Sequence, residues 1–118
     1  MKNDGLKFTD ETTQEEVVFN LYTFCEILKG CINKYCNTSM EEATKSVEDC
    51  KTFKSPISST NDVYFFSHEH PYHWAMICYY GDMYWKNKPE LVQIPESYDN
   101  WETNYIKENN LKEEVFIF

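Results

Sequence analysis

DVYFFSHEHPYHWAMICYYGDMYW, residues 62–85, holds nearly half of the aromatic side chains of the chain, all three histidines, and almost no charge before Asp82. A run this apolar is driven out of water, so it is read as core. Within it, residues 62–67 set Val63, Tyr64, Phe65 and Phe66 in succession, the composition of a buried strand. Pro71 is pre-set for the first turn of a helix, which predicts a buried helix over 72–80 ending at Gly81. The same residues also fit a strand, with Gly81-Asp82 as a hairpin turn into 83–85. With apolar residues on both faces, periodicity leaves the two open, and the helix is the reading taken.

Working outward towards the N-terminus, Thr13 and Glu16 have the spacing of a capping box. Beyond them Val17, Leu21, Phe24, Leu28, Cys31 and Tyr35 recur every three or four residues. That spacing predicts a helix over 14–35, interrupted only by Gly30. Ser39 and Glu42 form a second box opening a helix over 39–50, and Pro56 with the Ser58-Ser59-Thr60 run marks 51–61 as loop. Residues 1–12 read as a polar lead-in, touching the domain at Leu6 and Phe8. Towards the C-terminus, Ser97 or Asp99 caps a helix over 97–109 with Tyr98, Trp101 and Tyr105 inward. The apolar residues 115–118 are expected to dock as a strand beside 62–67. The result is one α+β domain spanning 1–118, helix-rich with a small antiparallel sheet.

At 118 residues the chain can bury a working core without staples. It carries 20 acidic against 11 basic residues, a net charge of −9, and every basic residue is lysine. Without arginine, and with repulsion of phosphates at long range, binding to nucleic acid is disfavoured; a basic protein is the partner such a surface attracts. The apolar residues of 17–32 are broken by Asn20, Glu26 and Lys29, so no membrane span is expected. Residues 1–10 are polar, so no secretory leader is expected, and the location expected is cytoplasmic. The five cysteines contain no CxxC pair and read as reduced thiols, mostly buried.

His68, His70 and His73 are the first candidates for chemistry. On a strand His68 and His70 would share a side, and His73 could follow across Pro71, which admits a zinc reading; no second ligand cluster accompanies them. The alternative is that the three hydrogen-bond at a chain corner and hold it. No spacing selects an acid–base pair from Glu69, Asp82 and Asp99. Burial of Cys78 should raise its pKa and make it inert. Three widely separated glycines exclude a phosphate cradle. No catalytic residue, cofactor or metal is therefore expected. The candidate partner-binding residues are Asp82, Tyr84, Trp85, Glu90, Tyr98, Asp99, Trp101 and Glu102, where carboxylates mix with the Tyr and Trp side chains that dominate interface energetics.

Residues 67–91 carry His-Pro-Tyr-His-Trp-Ala (70–75), Tyr-Gly-Asp (80–82), Tyr84-Trp85 and Pro89-Glu90-Leu91. This block, about a fifth of the chain, resembles small immunity proteins of bacterial polymorphic toxins, including contact-dependent growth inhibition systems. The resemblance implies a cytosolic, non-enzymatic protein that binds the C-terminal domain of its own toxin, often a basic nuclease, and occludes its active site. It implies no residue-level contacts. The other classes are an acidic nucleic-acid mimic of the anti-restriction or anti-CRISPR type, and a small metal protein built on the histidines.

Overall fold

Two short strands open the chain: β1, Leu6–Thr9, pairs antiparallel with β2, Glu16–Phe19, in the register Leu6↔Phe19 and Phe8↔Val17. The computed structural model describes residues 3–53 and 55–112, and the backbone of 116–117. Among these the order continues α1 (Leu21–Tyr35), α2 (Met40–Glu48), α3 (Thr60–Ser67), α4 (Pro71–Tyr80), α5 (Tyr98–Glu108) and β3 (Phe116–Ile117). Short 3-10 turns stand at Lys51–Phe53, Tyr84–Lys86 and Pro89–Leu91. The α+β class expected from the pattern is the class observed.

The expected helix over 14–35 is corrected at its start. Thr13 does not cap a helix; it lies in the hairpin loop, where Asp10 Oδ1 accepts from the amides of Thr12 and Thr13 at 2.8 and 3.3 Å. Gln14 has a left-handed φ of 64°, which no helix continues through. Beyond it Val17 and Phe19 are buried while Glu16 is exposed, the alternation of a strand. Over four residues this period of two is hard to distinguish from the start of the long helical pattern. The helix proper begins at Leu21, and its N-terminus is capped from outside. Asp4 Oδ1 accepts from the Thr23 amide at 2.8 Å, and Asp4 Oδ2 from the Thr23 hydroxyl at 2.8 Å. The carboxylate thus satisfies a free N–H of the first turn and complements the helix dipole. Asn20, the residue in the capping position, is turned instead to the Gly5 amide at 3.0 Å.

The strand expected over 62–67 is also corrected, to helix α3. Ser59 Oγ accepts from the Asp62 amide at 3.4 Å, and Asp62 Oδ2 accepts from the Ser58 amide at 2.9 Å, so the two side chains close the N-terminus reciprocally. Val63 and Phe66, three apart, are buried, whereas Phe65 is 51% exposed. That is a one-sided helix, and the strand-forming composition of Val-Tyr-Phe-Phe loses to the caps and to tertiary packing. Helix α4 forms as read, with Pro71 in its first turn and Gly81, at φ 98°, ending it. Helix α2 forms on its box, Ser39 Oγ accepting from the Glu42 amide at 3.1 Å. In α5, Ser97 occupies the capping position without capping; its hydroxyl shares a 2.8 Å hydrogen bond with Tyr35.

With 62–67 helical, the C-terminal segment cannot pair there. Its strand β3 joins the other free edge, antiparallel to β2 with Val18↔Ile117, giving the order β1-β2-β3. Residues 115 and 118 of that expected strand lie outside the described residues. Helix α1 runs through the middle and packs on α2, α4 and α5. Its Phe24, Ile27, Leu28, Cys31 and Ile32 are all buried. Phe24 joins Phe19, Phe53, Phe66 and Trp74 in a chain of ring contacts, Phe53 and Phe66 stacking at 5.1 Å. A second group, Tyr35, Tyr72, Tyr98 and Trp101, joins α1 to α4 and α5. The core is therefore shared between α1 and the 62–85 stretch rather than owned by the latter.

Candidate functional site

The turn from α3 to α4 is built by the three histidines, each with a different task. His68 closes α3, its Nδ1 against the Phe65 carbonyl. His70 opens α4, its Nδ1 accepting from the Tyr72 amide at 3.0 Å, as a serine or asparagine cap would. His73 Nδ1 shares a 2.6 Å hydrogen bond with the Tyr84 hydroxyl and so ties the helix to the Tyr84–Lys86 turn. Trp74, one turn into α4, donates its indole N–H to the Phe66 carbonyl at 2.9 Å, a carbonyl left free at the end of α3. Among the described residues, no three His, Cys, Asp or Glu side chains are grouped to hold a metal ion.

This corner shapes a cleft of about 520 Å³ between α3, α4 and the Tyr84–Lys86 turn. Trp74 and Tyr84, both nearly inaccessible, form its floor, and Phe65, Trp85 and Val92, each 44% exposed or more, form its rim. Phe65 lies 5.4 Å from Trp74, and Trp85 meets Tyr84 edge-on at 5.4 Å. One carboxylate, Glu69, stands in the lining, 3.8 Å from His68 Nε2. Burial pushes the Tyr84 phenol above its ordinary range, and the charge of Glu69 adds to the shift. Burial holds His70 below the usual histidine value, against an opposing pull from the Glu102 carboxylate.

The eight residues proposed from the sequence do not form one surface. Tyr84 and Trp85 reach the cleft. Asp82 and Glu90 are exposed outside its lining. Tyr98 is fully buried and Trp101 and Glu102 half-buried, so on α5 it is Asp99 that is exposed. Tyr98 is thus a core residue that no partner reaches in the folded chain, and Tyr84 shows only its inner face to the cleft. Glu102 instead lines a separate hollow of about 620 Å³ with Thr103, Ile106, Lys107, Asn110 and Leu111. Sequence reasoning did not single out Phe65, Glu69, Trp74 and Val92: the buried-strand reading of 62–67 hid the exposure of Phe65, and the other three reach the cleft only through the packing of α3, α4 and the turns around them.

The thiols do not behave alike. Cys50 accepts a hydrogen bond from Cys78 and further ones from the amide and hydroxyl of Thr52, which together bring its pKa down to about 6. The same contact, together with burial, pushes Cys78 up, in line with the inertness expected of it. Burial raises Cys36 to about 11, despite a hydrogen bond with Tyr80 that pulls the other way.

Compared with family models, with curated proteins and with solved structures, the chain matches none. No helix among the described residues is long and apolar enough to cross a membrane.

Proposed function

We propose that this chain is a stoichiometric binder of a basic protein, and that its role is that of an immunity protein occluding the active site of a cognate toxin domain of the nuclease class. One observation carries the reading. Among the described residues seven large apolar side chains are exposed, and three of them, Phe65, Trp85 and Val92, meet at the rim of the α3–α4 cleft, while Tyr80 and Met83 lie at the far end of α4 and in the turn that follows it. They sit on a chain of net charge −9. Clustered exposed apolar side chains beside a carboxylate, on an acidic chain, suit a surface that is covered by a cationic partner. Scattered exposure at the same frequency would carry no such meaning.

Steering by the acidic shell would bring the partner in, and the aromatic cleft would supply the anchor. A standard interface of about 800 Å² per partner is small against the 7466 Å² that the chain exposes. Co-expression with the product of the neighbouring gene, followed by affinity purification, tests the proposal. A one-to-one complex in which the partner's activity is lost supports it. Recovery of the chain alone, with the partner active in its presence, overturns it.

A further inference from the structure

We propose that the α3–α4 cleft is the receptor for a single arginine side chain of the basic partner, with its guanidinium against the rings of Phe65 and Trp85 and paired to Glu69. The proposal rests on the reading of the chain as a binder of a basic protein and names the group that its cleft takes.

The lining decides the chemistry. Its floor and rim are aromatic or aliphatic, the imidazoles of His68 and His73 also line it, and Glu69 is its carboxylate. An anion would face that carboxylate and a net charge of −9 with no lysine in the lining to offset them. A purely apolar group would strip water from Glu69 without replacing its hydrogen bonds. A cation satisfies both the ring faces, whose quadrupoles attract it, and the carboxylate. Among the described residues no lysine pairs with Glu69; His68 Nε2 stands 3.8 Å away, close enough for an ion pair when the imidazole is protonated but too far to occupy the carboxylate with a hydrogen bond. The carboxylate is therefore open to an incoming donor.

Between the two cationic side chains, the fit favours arginine. An ammonium is compact and strongly hydrated, and it loses more on entering an aromatic cleft. A guanidinium is planar and weakly hydrated; it stacks on rings and presents a fork matched to a carboxylate. The cleft is also pre-formed. Trp74 is pinned by its bond to the Phe66 carbonyl and Tyr84 by its bond to His73, so little ordering cost remains for binding. The chain itself contains no arginine, and so cannot fill its own site with one.

The test uses the full chain and an acetylated, amidated Gly-Arg-Gly peptide, followed through the indole N–H resonances of Trp74, Trp85 and Trp101. The expected result is a saturable shift of Trp74 and Trp85 with Trp101 unmoved, and a response at least roughly tenfold weaker to the citrulline peptide, which keeps the shape and loses the charge. Trp85→Ala and Glu69→Gln should each weaken the arginine response several-fold while leaving the circular dichroism unchanged, since both side chains are solvent-accessible. No saturable shift, an equal response to citrulline, or tighter binding of choline than of the arginine peptide would overturn the proposal. The two readings fail separately: a partner that still binds W85A and E69Q at full strength removes the arginine site and leaves the inhibitor, whereas absence of any basic partner removes the inhibitor and leaves the peptide titration to decide the cleft.

Discussion

Gly30 of α1 faces Tyr105 of α5 so closely that a Cβ on the glycine would stand 2.6 Å from the ring's Cε1 and 2.8 Å from its hydroxyl oxygen. The glycine that looked like a flaw in the longest helix is thus the point where α5 docks. Tyr105 cannot simply swing aside, because its ring stacks on Trp101 at 4.9 Å. Gly30→Ala gains about 1 kcal/mol of helix propensity but incurs an overpacking cost of roughly 1–3 kcal/mol, so a net loss of about 1 kcal/mol is expected. In a Tyr105→Ala background the same change should turn stabilising. Urea unfolding of the four proteins of this cycle checks the sign change, and an additive result would refute the contact.

Stability near neutrality should depend on His70. Burial lowers its folded pKa below the ordinary 6.5, with His73 adding to the lowering while Glu102 and Asp99 oppose it. As pH falls through 6.5 the unfolded chain takes up a proton that the folded chain resists. Stability is therefore lost on acidification and stops falling once the folded value is passed. His70→Asn replaces the capping Nδ1 by an amide oxygen and cannot titrate, so its unfolding midpoint should fall less than that of the wild type between about pH 7 and pH 5. Parallel curves for the two proteins would exclude His70 as the source.

Cys50 should be the first thiol to be alkylated by iodoacetamide, with a rate that rises through a midpoint of about pH 6. Cys78→Ala removes its main donor and should shift that midpoint up by roughly a unit or more, whereas Cys78→Ser, which still donates, should shift it less. Peptide mapping after brief labelling reads the order directly. Labelling of Cys36 ahead of Cys50 would contradict the assignment, since burial holds Cys36 near 11.

The Tyr98 hydroxyl is buried and, among the described residues, makes no well-formed hydrogen bond; burial and the nearby Glu102 carboxylate both disfavour its ionisation. Tyr98→Phe removes a polar atom that is desolvated without return. The change should be neutral or stabilising by up to about 1 kcal/mol in chemical denaturation, and a loss of more than about 1 kcal/mol would reveal a bond to that oxygen.

If the acidic shell steers the partner, raising salt should slow association far more than it speeds dissociation. Stopped-flow rates that stay flat from low to high ionic strength would remove steering from the proposed function.

Turn and capping signals held where no second signal competed, and the box of Thr13 with Glu16, where one did, failed. Ser39 with Glu42, Pro71 before an apolar run, and the inward pattern of α5 each produced the helix they implied, because those bonds close over three or four residues. The errors fell where two local signals competed. Val17 fitted the face of the helix that followed and also a strand, and the Asp10 loop with the strained Gln14 decided for the strand. Val63 to Phe66 had strand composition, yet Ser59 and Asp62 had caps to offer, and the core needed Val63 and Phe66 on one side.

Helix against strand over 72–80 was left open by the sequence and decided by the fold. Charge sign, the lack of arginine and the aromatic wealth of 62–85 are properties of composition, which the linear chain carries in full. The cleft is not of that kind. Phe65, Glu69, Trp74 and Trp85 come from two helices and a turn, and they meet because the Trp74–Phe66 and His73–Tyr84 bonds fold the corner back on itself. Likewise Gly30 acquires its meaning from a ring 75 residues away. Such contacts depend on which faces the core buries, and that choice is made by the whole chain packing together rather than by any segment of it.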